Sequence, residues 1–420
     1  MASPNDPLEL PCGLTLPNRL MKAAMSEALA DKRHAPDGRL KQLYRTWGEG
    51  GYGLLVTGNV MVDRTQLGEP GNVVIEDDRD RDALTGWAKA AHDTGAPIIV
   101  QLNHPGRQSN PFALGHVPVA PSAVPLSLPG SPTPRELAGA EIEDIIERFA
   151  TAAAVCEATG FDGVQLHAAH GYLITQFLSP LSNLRTDEWG GDPARRMRFL
   201  LEIVRRVRAR VSPGFAVTIK LNSADFQRGG FTEDDSRDVV TALAGEGIDL
   251  IEISGGNYES PAMSGAVEET EVSSSTRERE AYFLEYARTV RKLAAGVPLA
   301  VTGGFRSRSA IIEALASGDC DVVGIARPTV IMPDAASAIL TDRTDVLPTH
   351  EIQYGMRGLL GKLVDLKTFD GVLSLAWHTD QIHRLGAGLQ PDMGRGQIAT
   401  TVAMLRRGGT VSLRPKRSAR

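Results

Sequence analysis

The chain has 420 residues with 45 Lys and Arg against 51 Asp and Glu, a formal charge of −6, which excludes a basic surface built to coat nucleic acid. Its three cysteines, Cys12, Cys156 and Cys320, form no C-x-x-C pair, which excludes a disulfide scaffold and a zinc ribbon. The opening MASPNDPLELPCG lacks an apolar signal core and no apolar run reaches about 18 residues, so a soluble cytoplasmic protein with no membrane partner is expected.

Taken in chain order, Leu20 to Met25 reads as a first strand and Gly38 to Gly48 as a helix. Tyr52 to Val60 is apolar nearly throughout, as a strand buried on both faces requires. A helix over Arg79 to Thr94 stops at Gly95, and Pro97 to Leu102 is the third strand. Asn103 to Gly139 is rich in Pro, Gly and Ser and reads as one long loop. The pattern resumes with a helix over Glu141 to Thr159, a strand over Asp162 to Ala168, a helix over Pro193 to Val211 and a strand over Ala216 to Leu221. Thr232 opens a helix with acids in its first turn. Asp249 to Ser254 is strand, Thr276 to Leu293 helix, Pro298 to Thr302 strand, Ser307 to Ser317 helix, Asp321 to Ile325 strand and Asp334 to Leu340 helix.

This alternation implies parallel strands with helical crossovers. Repeated eight times, it predicts an α/β fold, a (β/α)8 TIM barrel over residues 1–340. A doubly wound sheet is the rival, but it usually carries G-x-G-x-x-G after its first strand, and SEALADKR after Met25 holds no Gly. Residues 341–420 are expected to form a helical C-terminal extension, with helices over Glu351 to Asp365 and Leu373 to Leu385, ending in a basic tail. That extension packs either on its own barrel or on a neighbouring subunit, and a homo-oligomer, dimer or tetramer, is expected.

Barrel chemistry gathers at the C-terminal ends of the strands. Gly303 and Gly304 after strand seven, with Ala326 and Arg327 after strand eight, suit a phosphate approached by backbone N–H groups, or else are plain tight turns. The run H-A-A-H-G-Y after strand four sets His167, His170 and Tyr172 within six residues. A metal site would need a third ligand, and the Glu of H-E-x-x-H is missing. One histidine could be a buried bond-former. The third reading is two N–H donors aimed at one substrate oxygen, with Tyr172 as proton donor. A phenol, ordinarily titrating near about 10, keeps its proton at neutral pH. Lys220 on strand five fits a Schiff-base lysine or an ion pair.

The run from Gly160 to Val204, GFDGVQLHAAHGYLITQFLSPLSNLRTDEWGGDPARRMRFLLEIV, resembles the signature of the Old Yellow Enzyme family of FMN-dependent ene-reductases. NRLMKAAMS from Asn18, QLNHPGRQS from Gln101, RGGFT from Arg228, TGGFRS from Thr302 and GIARP from Gly324 extend the resemblance over roughly residues 5 to 340. It implies FMN over the barrel mouth, lined by Ala23, Ala24, Met25, Ser26 and Gly58. Gln101 would bond the pyrimidine edge, with Lys220 near flavin N1 and O2. Gly303, Gly304, Ala326 and Arg327 would hold the phosphate. His167 and His170 would bind the carbonyl or nitro oxygen of an enone or nitroalkene. Flavin N5 would deliver hydride to Cβ and Tyr172 a proton to Cα, and NADH or NADPH would reload the flavin from the same pocket.

An isomerase or dehydrogenase of the same family, or a flavin-free barrel lyase using Lys220, is the alternative. Ser26 stands where relatives often carry Cys or Thr, so the flavin potential is open. No Cys follows Cys320, so the iron–sulfur cluster of the larger relatives is not expected and a diffusing nicotinamide is.

Overall fold

Successive residues of a strand face opposite ways, and in this chain the two faces are sorted by what they meet. The computed structural model describes residues 1–109, 115–127, 131–254, 282–350 and 366–408. Its eight central strands are β1 Leu20–Lys22, β2 Leu54–Val56, β3 Ile98–Asn103, β4 Gly163–Ala168, β5 Ala216–Asn222, β6 Leu250–Ser254, β7 Leu299–Thr302 and β8 Val322–Ile325. Each pairs in parallel with the next, and β8 returns to β1, closing the (β/α)8 barrel.

Around it lie α1 Gly38–Glu49, α2 Arg81–His92, α3 Gly139–Ala158, α4 Pro193–Arg208, α5 Glu233–Ala244, α6 over residues 282–290, α7 Arg308–Ser317 and α8 Ala335–Leu340. Local chemistry starts several of them. Asp192 accepts from the Arg195 backbone N–H and Pro193 occupies the first turn of α4. Thr232 and Asp235 cap each other at α5. Ser307 accepts from the Ala310 N–H at α7, which ends at Gly318 with φ of 76°.

Outward residues such as Val100, Leu166, Ile219 and Ile253 join the core shared with the helices. Inward residues at the strands' N-terminal ends, among them Met21, Leu54, Ile99, Leu250 and Val322, form a separate apolar cluster. A hairpin of Leu8–Glu9 and Thr15–Leu16 covers that end and adds Leu10 and Leu16 to the cluster. Each such side chain stabilises the closed end by about 1.5–3 kcal/mol when fully buried.

Several boundaries differ from the sequence expectation. The first strand ends at Lys22, three residues early, because Ala23–Ser26 leaves the sheet at the mouth. The expected strand Tyr52 to Val60 breaks after Val56, and Val60–Met61 runs beside β3 instead, pairing Val60 with Leu102. The long loop contains two short strands, Val119–Ala120 and Arg135–Glu136, paired in parallel. The starts of the Thr276 helix and the helix expected over Glu351 to Asp365 lie outside the described residues.

Of the C-terminal segment, α9 Leu366–Gly386 and α10 Gln397–Gly408 are helical. Here α9 packs on its own barrel and α10 packs on α9. The His383 imidazole lies 2.9 Å from the Glu27 carbonyl, and a Cβ built on Gly386 would touch Leu29 and Arg39 of the α1 region. Trp377 is buried in α9 and donates its indole N–H to Arg395 O at 3.1 Å. Among the described residues no helix is long and apolar enough to cross a membrane.

Candidate active site at the barrel mouth

Above the apolar floor the inward positions turn polar: Gln101 on β3, Gln165 and His167 on β4, Lys220 on β5, Glu252 on β6, all buried. Strand register sets Gln101 beside Gln165, His167 beside Lys220 and Lys220 beside Glu252. Gln101 Nε2 donates to Gln165 Oε1 at 2.7 Å, Gln165 Nε2 to Glu252 Oε2 at 2.8 Å and Lys220 Nζ to Glu252 Oε1 at 2.6 Å. The two amides, the carboxylate and the ammonium group of this row are tolerable in the interior because each has a partner.

The H-A-A-H-G-Y residues converge as expected. The His167 ring stands edge-on to His170 at 5.2 Å and to Tyr172 at 4.8 Å between centroids. The turn is made by His170 at φ of 63° and Gly171 at 78°, a conformation that costs a side-chain-bearing residue energy and is held by its surroundings. Asn222 Oδ1 receives the His170 N–H at 3.2 Å, and Ser254 Oγ lies 2.8 Å from His170 Nε2. Asn59 Nδ2 donates to the Tyr172 phenol oxygen at 3.1 Å. Burial pushes the His170 pKa down to about 3, with the Lys220 charge adding to the effect. Burial, His170 and Lys220 hold His167 well below the usual range. Both rings are therefore neutral N–H donors at neutral pH.

The segment after β1 forms one wall. Ala23 is buried and its N–H reaches the Ile325 carbonyl of β8 at 2.9 Å; Ala24, Met25 and Ser26 are half-buried. The Ser26 hydroxyl donates to the Glu69 carboxylate. Gly58 N–H donates to Glu27 Oε1 at 2.7 Å, and a Cβ there would overlap Met25 O and the Glu27 carboxylate. Glu27 also receives the Tyr44 hydroxyl. Beneath them Lys22 is fully buried, with Nζ 2.9 Å from Val56 O and 4.1 Å from the Trp47 ring centroid. Burial lowers its pKa to about 8 although Glu27 opposes the shift.

At the β7 and β8 ends, Gly304 takes φ of 86° and a Cβ on Gly303 would collide with the Phe283 ring. Ala326 is half-buried and Arg327 exposed. From α9, His378 faces the same side. Burial pushes it down to about 4, assisted by the charges of Arg327, His350 and Arg306.

Sequence reasoning places Asn59, Asn222 and Ser254 at the mouth ends of strands two, five and six without giving them a role, and it missed Glu27, Glu69, Gln165 and Glu252. One signal was legible: Glu252 interrupts an otherwise apolar strand, DLIEIS, at an inward position.

Residues 6–345 match the NADH:flavin oxidoreductase / NADH oxidase family. The chain belongs to this family. The Old Yellow Enzyme resemblance and the barrel expected from it are therefore shown, with FMN and a nicotinamide as the cofactors of the fold. The chain is 37% identical over 398 residues to the NADH-dependent flavin oxidoreductase iliE of Hypocrea jecorina (strain QM6a), covering 90% of this chain and 97% of that one. It is 40% identical over 373 residues to iliE of Neonectria sp. (strain DH2), covering 83% of this chain but only 48% of that relative. The solved structure of morphinone reductase in complex with tetrahydroNAD superposes with a TM-score of 0.67 at 26% identity, covering 83% of this chain and 93% of that one.

The mouth of this family member fits a flat, imide-bearing group with a phosphate tail. Gln101 and Lys220, at the two ends of the row through Gln165 and Glu252, supply an amide and a cation with acceptor and donor capacity. His167 Nδ1, the Asn103 amide and Thr302 Oγ1 are buried with no partner among the described residues. At Gly58 and Gly303 a side chain has no room. Among the described residues no cluster of His, Cys, Asp or Glu has the makeup of a metal site.

Proposed function

We propose that this flavin oxidoreductase reduces the activated C=C of α,β-unsaturated carbonyl or nitro compounds with electrons from NADH or NADPH. Ala23, Ala24, Met25, Ser26, Gly58, Gln101 and Lys220 would hold the flavin ring system of FMN, and Gly303, Gly304, Ala326 and Arg327 its phosphate. FMN, when bound, accepts hydride from the nicotinamide and passes it to the substrate.

The observation that carries the reading is the convergence of His167, His170 and Tyr172. Two neutral imidazoles beside the Lys220 ammonium place N–H donors where negative charge develops on a substrate oxygen, and preorganised donors stabilise such charge without reorganising. Their neutrality keeps them from protonating the oxygen outright. Tyr172, its oxygen already receiving the Asn59 amide, directs a proton to the substrate carbon.

The flavin-free lyase reading is disfavoured by the geometry of Lys220. A Schiff-base lysine needs its Nζ free to attack a carbonyl, and Lys220 Nζ is instead held by the Glu252 carboxylate at 2.6 Å.

Anaerobic reduction with each nicotinamide, then reoxidation with 2-cyclohexenone and a nitroalkene, tests the proposal. Fast bleaching near 450 nm by NADH or NADPH and fast recovery with either acceptor is the expected outcome. A reduced protein that none of these acceptors reoxidises faster than buffer overturns it.

A further inference from the structure

Four inward side chains below the mouth form a single hydrogen-bonded row, Gln101 to Gln165 to Glu252 to Lys220, with donor–acceptor distances of 2.7, 2.8 and 2.6 Å. All four are buried, and the Glu252 side chain is 0% exposed. The row follows from strand register. Gln101 and Gln165 are direct neighbours on β3 and β4, as are Lys220 and Glu252 on β5 and β6.

The chemistry of the row has a direction. An amide side chain has a donating and an accepting end and turns over freely when its neighbours tolerate both orientations. A carboxylate only accepts. Glu252 therefore obliges Gln165 to present its NH2 group, and Gln165 then offers its carbonyl to Gln101. Gln101 must in turn spend an N–H on Gln165, which makes its own carbonyl the terminal acceptor of the row. The same carboxylate bonds the one cation of the row. Lys220 thus reaches the mouth with its positive charge partly offset.

We propose that Glu252 is a positioning residue for FMN, orienting the Gln101 amide so that its carbonyl receives the flavin imide N3–H, and moderating the Lys220 charge so that the flavin potential stays lower than Lys220 alone would set it. The proposal rests on the assignment of Gln101 and Lys220 to the pyrimidine edge of FMN. It predicts two separable properties, one of amide direction and one of charge. A cation beside the pyrimidine edge stabilises the anionic reduced flavin and a nearby carboxylate opposes it.

The test uses the full chain loaded with FMN. Glu252→Gln keeps the shape and removes the charge. Its midpoint potential is expected to rise, with reduced flavin gaining about tenfold in affinity over oxidised flavin, or about 30 mV for a two-electron couple. Lys220→Met is expected to move the potential in the opposite direction. Gln165→Met leaves the ion pair in place, so its potential stays at the wild-type value while FMN dissociation becomes about tenfold easier, the scale of one lost hydrogen bond to a well-oriented partner. Wild-type protein is expected to bind N3-methyl-FMN at least about tenfold more weakly than FMN, and Gln165→Met to lose most of that discrimination.

An unchanged or lower potential in Glu252→Gln, with a lowered potential in Lys220→Met, overturns the role of Glu252 alone. No change in either variant overturns the placing of Lys220 at the flavin. Equal binding of FMN and N3-methyl-FMN by wild type overturns the amide direction, and that measurement needs no variant to fold.

Discussion

The two ends of the barrel interior are built from the same strands by opposite rules. At the closed end Met21, Leu54, Ile99, Leu250 and Val322 pack with Leu10 and Leu16 of the covering hairpin, and nothing there needs a hydrogen bond. Two or four residues further along β3, β5 and β6 the inward positions become Gln101, Lys220 and Glu252. The closed end tolerates any good fit of volume, whereas the open end works only as a set of mutually satisfied donors and acceptors. Stability and chemistry are thus stacked along one axis, and each should fail separately.

Tyr172→Phe should break the open end most sharply. Reduction of the bound flavin by nicotinamide should stay close to wild type, while stopped-flow reoxidation by 2-cyclohexenone slows by about 10²–10⁴. A nitroalkene should still be reduced quickly, because a nitronate can leave without a proton. Equal slowing with both acceptors would assign the phenol to positioning instead. His167→Ala and His170→Ala should each slow enone reoxidation by about 10²–10³ and weaken phenolic ligands; wild-type rates in both would remove the imidazoles from the reaction.

The closed end should respond in stability alone. Leu54→Ala, at a position 1% exposed, should cost about 2–5 kcal/mol in urea unfolding, with turnover per folded molecule unchanged. A changed turnover number would show that the two ends are coupled.

The smallest effect expected is in acid. His104, fully buried beside β3, is pushed down to about 4 by burial, and His170 to about 3. An unfolded histidine titrates near about 6.5. Between that value and the folded one the unfolded chain binds the extra proton, so these groups leave stability unaffected above about pH 6.5 and reduce it as pH falls toward 4. From pH 7 to 5, wild type should lose on the order of 1–2 kcal/mol more than His104→Gln; parallel losses would show His104 free to take up a proton in place.

The contrast also explains what could be read from the residues beforehand. Apolar runs such as PIIVQL and AVTIKL mark buried parallel strands whatever their neighbours, so the eight-unit barrel was legible. So was the local cluster His167, His170 and Tyr172, because its members lie within one turn. Partners brought in by register were not legible. Glu252 is 87 residues from Gln165 and Asn59 is 113 from Tyr172, and only the closed sheet makes them neighbours. The short β1 and broken β2 were missed for a related reason. Ala23–Ser26 and Thr57–Asn59 directly continue apolar strand runs, with no breaker ahead of them, but their backbones leave the sheet at the mouth.

The contact of His383 with the Glu27 carbonyl bears on how the protein is made. Glu27 emerges early in translation and His383 more than 350 residues later. At about 5–20 residues per second, the mouth waits many seconds for α9 to arrive and brace the wall on which Gly58 rests. The apolar end has all its residues once β8 has supplied Val322, whereas the cofactor end is finished only after α9 has followed. The brace that α9 gives this wall is thus among the last contacts of the mouth to form, long after the wall itself has been synthesised.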